Sequence, residues 1–351
     1  MLSTFSEPTL VACVGLFGGI LLGLAARIGR FCTLGAIEDV YYGASTLRLR
    51  MWGIAIGVAV IGTFGLSALN LLNLGETLAL SRLWNPIASI VGGLLFGYGM
   101  ALAGNCGYGA LARLGGGDLR SFVIVLVMGL AAYITLGGPL SDWRILIFGG
   151  REDTTSTQGF AGILSDWTAL PAEPIGILIG ILILAATLAN RTLLQSPKYI
   201  FWGAIAGVAI VSGWAGTAWV ANAGFDATPV VSHTFSAPIG ETMLYVMTSS
   251  GNAIGFGTGS VFGVLIGAFI GSLFKGHFRW EACEDPRELR RQIFGAALMG
   301  MGAVISVGCS VGQGLSAFST LAFSAPVTLA AIMAGAAIGL RQLIVGFSTP
   351  T

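Results

Sequence analysis

The sequence has few charged residues, and this scarcity excludes an ordinary soluble protein. Only 9% of its 351 residues are Asp, Glu, Lys or Arg, whereas 55% are hydrophobic. Soluble domains carry about 25% charged residues, so this chain has too little polar material to cover a soluble particle of its size. We therefore expect an integral membrane protein.

Other absences exclude further classes of protein. The net charge is +1 and no dense basic stripe is present, so nucleic-acid binding is not expected. No GxxxxGK[ST] motif occurs, which argues against an ATPase. The five cysteines are an odd number spread along the chain and do not indicate a disulfide framework. No pattern indicates a cofactor or a metal ion.

Long apolar segments are abundant, and nine of them can cross a bilayer, which takes roughly 17–25 residues. They are 9–26, 51–74, 86–104, 119–138, 174–190, 199–221, 255–275, 292–309 and 326–347. Four apolar, glycine-rich pieces are too short to cross: 31–45, 105–117, 235–252 and 309–324. Irregular backbone at membrane depth must be buried in protein or line a cavity. We therefore predict an all-α polytopic membrane protein with about nine transmembrane helices and re-entrant or broken short helices.

The basic residues predict the orientation of these spans. Connections 27–50, 191–198 and 275–291 are rich in Lys and Arg, whereas 139–173 is acidic and 222–241 has no base. Basic connections stay in the cytoplasm. This distribution predicts an N-terminus outside and a C-terminus inside.

The two halves of the chain resemble each other. A glycine-rich run at 97–101 leads to Cys106, and a similar run at 300–303 leads to Cys309. Cys32 and Ser236 precede these cysteines by nearly equal distances. Because five spans separate equivalent points, the halves have opposite orientations, an architecture typical of secondary transporters. We predict inverted repeats at 1–138 and 199–351, separated by an outer loop and a linking helix at 139–198.

Three motifs resemble those of YeeE/YedE-type thiosulfate transporters: GRFCTLG at 29–35, GNCGYG at 104–109 and GCSVGQG at 308–314. The resemblance covers nearly the whole chain. It implies a bacterial inner-membrane protein, an hourglass of helices, and thiosulfate uptake through a relay of Cys32, Cys106 and Cys309. It also implies a small TusA-like sulfurtransferase as a possible cytoplasmic partner. Some relatives are assigned to selenium or other sulfur compounds.

The chemistry of these motifs suits a soft dianion. Burial disfavours a thiolate, so we expect neutral cysteines whose S–H groups donate weak hydrogen bonds. Weak binding at several sites suits permeation. Glycines beside the cysteines expose backbone N–H groups, and neutral side chains add donors. The further candidate site residues are Asn105, Gly107, Gly109, Ser236, Gly308, Ser310, Gly312 and Gln313.

The sequence is also compatible with other functions. The chain could carry another sulfur or selenium anion, act as a passive anion pore, or be a membrane enzyme with a nucleophilic cysteine. The first of these is the main alternative, and an enzyme is not expected because no His lies near the three cysteines in sequence.

Roles for other polar residues are also expectations. Glu38, Asp39 and Glu241 are either coupling groups or local partners of a base, and Arg30 and Arg113 either guide an anion or reflect the orientation bias. Cys13 is expected to be a packing residue, and Cys283 a bystander in a charged loop. His233 and His277 are expected to stand alone in loops and to form no proton relay.

Overall fold

The structure, a computed structural model, describes residues 6–43, 45–149, 158–224, 228–276, 278–282 and 285–346. Within these ranges the chain is helical and contains no β-sheet. The helices are α1 (Glu7–Arg27), α2 (Thr33–Tyr41), α3 (Leu47–Ala68), α4 (Leu78–Ser81), α5 (Pro86–Ala103), α6 (Gly107–Leu114), α7 (Leu119–Leu136), α8 (Ser141–Phe148), α9 (Phe160–Thr168), α10 (Ala172–Leu188), α11 (Arg191–Leu194), α12 (Pro197–Ala223), α13 (Ala237–Thr248), α14 (Phe256–Phe274), α15 (Pro286–Ile305) and α16 (Ser324–Val345). A 3₁₀ turn covers Leu74–Glu76, and a π-helical segment covers Gly312–Ala317.

The prediction of an all-α polytopic membrane protein is confirmed. Seven candidate spans are long and apolar enough to cross a membrane, and the α9–α10 pair, bent by 119°, can supply an eighth. Each of the nine predicted segments contains a helix. The predicted segment 292–309 lies in α15, which begins earlier, at Pro286. Helix α15 is not among the seven candidate spans, because its first two turns carry four charged residues: Arg287, Glu288, Arg290 and Arg291.

Each of the four predicted short pieces contains helix, and each helix starts next to a candidate site residue. The N-cap position of α2 is Cys32, that of α6 is Cys106 and that of α13 is Ser236. The helical turns that include Gly312–Ala317 start at Ser310, directly after Cys309. Unpaired N–H groups at a helix start carry partial positive charge. The structure therefore places four helix starts, each with a partial positive charge, next to the predicted anion-binding residues.

Close helix contacts explain part of the glycine content. On α1, Gly15, Gly19 and Gly23 face α14, and a Cβ added at Gly19 would lie only 3.0 Å from the Cα of Gly263. A larger residue there would push the two helices apart. Small residues provide this kind of backbone approach in membranes, where burial from water does not drive helix association.

The packing of the helices repeats when the two halves are exchanged. In the exchange, the contact of α1 with α14 corresponds to the contact of α12 with α3. The contact of α5 with α16 likewise corresponds to the contact of α15 with α7. The short helices follow the same pattern, since α2 contacts α3 and α13 contacts α14. Helices α5 and α15 also pack on each other, between the halves. This exchange is what two copies of one module would produce.

Candidate functional site

Cys106 lies at a break between two helices. Helix α5 ends at Ala103, the next residue, Gly104, has a left-handed conformation (φ 75°), and α6 starts at Gly107. The Cys106 side chain is only 1% exposed. Its Sγ accepts a hydrogen bond from the N–H of Gly109 at 3.4 Å. The break therefore turns one backbone donor of α6 toward the thiol.

Cys309 occupies the equivalent break in the second half and has more donors. Val307 and Gly308, which lead to it, both have positive φ angles. Its Sγ accepts from the N–H of Gly312 at 3.4 Å, which matches the Gly109–Cys106 contact. Its Sγ also accepts from the N–H of Phe235 at 3.3 Å and lies 3.7 Å from the Thr234 hydroxyl. The residues from two separate segments thus form a donor shell around this sulfur.

The three cysteine motifs meet around Ser310. The Thr33 hydroxyl, next to Cys32, donates to the Ser310 hydroxyl at 3.0 Å. Ser310 in turn hydrogen-bonds to Cys106, which has both Cys32 and Cys309 as electrostatic neighbours. Cys32 is half-buried, whereas Cys309 is buried like Cys106. Residues far apart in the sequence therefore form one connected polar cluster.

The remaining candidate residues surround this cluster in different ways. Asn105 and Ser236 are buried, and Gly107 packs against Met128. Gln313, expected to be a donor for the ion, uses both amide hydrogens on the carbonyls of Ser306 and Val307, at 3.1 and 3.0 Å. In this conformation Gln313 stabilises the backbone that follows α15.

Aromatic side chains enclose the cluster, although none of them was predicted to be a site residue. Phe31 stacks on Trp52, with ring centroids 4.7 Å apart, and meets the edge of Tyr108. Tyr108 also contacts Phe235 at 5.3 Å, and its hydroxyl donates to the Leu22 carbonyl. Phe31 and Phe235 directly precede Cys32 and Ser236, so the repeat could have identified both phenylalanines as residues near the site.

Two cavities, each of about 380 Å³, approach the cluster. Thr234 and Gly312, both in the donor shell of Cys309, line the first cavity. Thr33 and Trp52 line the second. Cys106 and Ser310 line neither cavity and are buried.

A family model described as sulphur transport matches residues 28–338, which include all three motifs. The chain belongs to the sulphur transport family. This membership supports a transporter and not an enzyme, as expected from the sequence.

Two curated relatives extend along most of the chain. It is 25% identical over 318 residues to the thiosulfate transporter TsuA of Spirochaeta thermophila, covering 88% of this chain and 92% of that protein. It is 27% identical over 312 residues to the thiosulfate transporter TsuA of Escherichia coli, covering 86% of each. The likeness therefore includes both halves.

In this member of the sulphur transport family, charged residues lie near the end of α2, the start of α3 and the end of α6. Arg48 pairs with Asp39 at 3.2 Å, and Arg113 is an electrostatic neighbour of the half-buried Glu38. Glu241, at the equivalent place in the second half, is exposed. The acidic residues of the first half therefore have basic partners close by.

A cluster of Lys and Arg side chains surrounds the end of α14. The Lys275 ammonium donates to the carbonyls of Arg27 and Ile28, at 2.8 and 3.1 Å. Burial and the nearby charges of Lys198, Arg30 and Arg27 lower the pKa of Lys275. Arg30 is thus one of several clustered cations.

His233 lies in a loop, as expected, but the expectation that it stands alone there is wrong. Its side chain is fully buried, and Nδ1 lies 2.6 Å from the Ser260 hydroxyl. Its carbonyl accepts from the Ser316 hydroxyl at 2.6 Å. His233 thus anchors the segment whose next two residues contact Cys309. A sequence cannot show this burial, because it depends on helices distant along the chain.

Of the two remaining cysteines, Cys13 lies within the described residues. Cys13, expected to be packing, is exposed on the surface of α1. Lipid tails are as apolar as a protein core, so a span does not reveal which of its faces is buried. Cys283 and His277 lie outside the described residues.

Proposed function

We propose that this protein carries thiosulfate across the membrane through a path lined by Cys32, Cys106 and Cys309. The observation that carries the proposal is the meeting of the three cysteine motifs around Ser310 in the buried centre. The two relatives named as thiosulfate transporters support this choice of substrate. The same two observations favour sulfur anions over an unselective anion pore, because three sulfur side chains lie near one another and two of them are buried.

The hydrogen bonds to the two buried thiols support a donor role toward the ion. The sulfurs of Cys106 and Cys309 accept from backbone N–H groups, which leaves their own hydrogens available. Accepting a hydrogen bond polarises a group and strengthens its own donation. A neutral S–H then holds the soft sulfur of thiosulfate without the repulsion that a thiolate would cause.

The order of the relay follows from the cavities. An ion in the first cavity lies next to the donor shell of Cys309 and moves on to Cys106 past Ser310. Cys32, beside the second cavity, is the last sulfur of the path. Each contact is weak, so release is as easy as capture.

The proposal includes a setting in the cell. The protein resides in the bacterial inner membrane as two inverted repeats, with the N-terminus outside and the C-terminus inside. The basic connections and the exchanged packing of the helices support this arrangement. A TusA-like sulfurtransferase is the proposed cytoplasmic acceptor of the sulfur, on the strength of the family resemblance.

Uptake by proteoliposomes tests the function. Labelled thiosulfate should accumulate in vesicles that contain the wild-type protein, and unlabelled thiosulfate should compete strongly. Sulfate, sulfite and selenium oxyanions should compete weakly. Equal competition by sulfate would indicate an unselective pore, and stronger competition by a selenium oxyanion would assign a different substrate.

A further inference from the structure

The first cavity has a rim of one charge sign. It lies between the segment 82–85, helix α8, the end of α15 and the π-helical segment. Among the described residues that line it, Arg82 and Arg144 are the only charged side chains. A concave surface lined by one sign of charge focuses its field and concentrates the opposite ion. The cavity is thus electrostatically suited to anions.

The charges of these two arginines are not neutralised within the described part of the chain. Arg144 donates through Nε to the Thr135 carbonyl at 3.2 Å and through Nη2 to the Leu136 carbonyl at 3.5 Å. These neutral carbonyls hold the guanidinium in place but leave its charge. No described carboxylate pairs with Arg82 or Arg144, whereas Arg48, Arg120 and Arg291 each have an acidic partner.

The inner end of the same cavity reaches the site. Thr234 and Gly312 line it, and both contact the sulfur of Cys309. Between the rim and Cys309 the lining is neutral and partly polar, with hydroxyls such as those of Ser232 and Ser316. An anion attracted to the rim therefore meets Cys309 at the bottom of the cavity.

We propose that Arg82 and Arg144 form an entry site for a divalent oxyanion, which is thiosulfate if the proposed function is correct. Guanidinium groups match planar pairs of oxygen acceptors. They bind the oxygen end of the ion and leave its terminal sulfur directed toward Cys309. Arg82 is exposed and Arg144 is half-buried, whereas Gly312, beside Cys309, is buried, so an ion from solvent meets the arginines before the relay begins.

Kinetics in proteoliposomes test this entry site. The Arg82→Gln, Arg144→Gln double variant should raise KM for thiosulfate about tenfold and weaken its dependence on ionic strength, with Vmax nearly unchanged. Arg82→Lys, Arg144→Lys keeps the charge but loses the planar pairs of donors, so its KM should lie between those of the wild type and of the double Gln variant. Arg191→Gln is the matched control, because Arg191 is an exposed cation that does not line this cavity.

Two results would overturn the entry site. One is a wild-type KM and salt dependence in the double Gln variant. The other is an equal rise of KM in the double Gln and double Lys variants, since that would point to damage of the fold and not to a loss of charge.

A binding measurement separates this inference from the proposed function. Labelled thiosulfate, sulfate and selenate are titrated onto detergent-purified wild-type protein and onto the double Gln variant. Weaker binding of a divalent anion to the variant supports the entry site even if thiosulfate is not transported. The entry site would be refuted if, for each of the three anions, the double Gln variant bound as tightly as the wild type.

Discussion

Replacement of Cys309 separates the structural role of its sulfur from its role in transport. The side chain is only 2% exposed, and its Sγ accepts from the N–H groups of Phe235 and Gly312. Cys309→Ala removes the acceptor and leaves both N–H groups unpaired in a dry site. Cys309→Ser keeps an acceptor at nearly the same place but removes the sulfur.

The expected loss of stability follows from these two contacts. A neutral hydrogen bond contributes about 0.5–1.5 kcal/mol net, and sulfur is a weak acceptor. Cys309→Ala should therefore destabilise the protein by about 1–2 kcal/mol. At about 2–4 °C per kcal/mol for a large domain, Tm should fall by roughly 2–8 °C. Cys309→Ser should recover most of this loss.

The assay combines thermal unfolding in detergent with thiosulfate uptake in proteoliposomes. Cys309→Ser is expected to have a near wild-type Tm but much slower uptake, because it lacks the soft donor. Cys13→Ala is the control, since Cys13 is exposed on α1 and should change neither quantity. Wild-type uptake by Cys309→Ser would refute the need for sulfur, and a wild-type Tm for Cys309→Ala would refute the energetic reasoning.

Four further variants test the arrangement of the site. Cys32→Ser should retain more thiosulfate uptake than Cys106→Ser, because Cys32 is only half-buried and its counterpart in the second half is already a serine. Gly18→Ala places a Cβ against the Nε2 of His233. Overpacking costs about 1–3 kcal/mol, so we expect a lower Tm together with slower uptake. Ser310→Ala breaks the hydrogen bonds that join the motifs and should slow uptake severalfold while the protein stays folded.

Each of these expectations has a clear contrary result. Equal loss of uptake in both Cys→Ser variants would contradict the repeat equivalence. For Gly18→Ala the control is Gly65→Ala, because a Cβ at Gly65 meets open space. Matching melting curves for these two glycine variants would contradict the packing of His233. Normal uptake by Ser310→Ala would mean that the polar link is dispensable.

Much of the fold followed from hydrophobicity alone. Each predicted span contains a helix, because a spanning backbone must satisfy its hydrogen bonds internally. Helices α8 and α9 were missed in the segment 139–173. They have eight and nine residues, too few to register as spans.

The candidate site was only partly predictable. The repeat placed Cys106 and Cys309 in equivalent breaks, and the matching N–H contacts of Gly109 and Gly312 follow from that equivalence. The anchoring of His233 and the arginine rim of the first cavity did not follow. Both depend on which distant segments the fold brings together, and no local spacing encodes such contacts.

The most direct test of the cysteine path is thiosulfate uptake by a Cys106→Ala, Cys309→Ala double variant that elutes and melts as a folded protein. Our account predicts uptake at the level of empty vesicles, with normal insertion in the bilayer. A rate equal to that of the wild type would contradict it and would leave the thiols as packing residues.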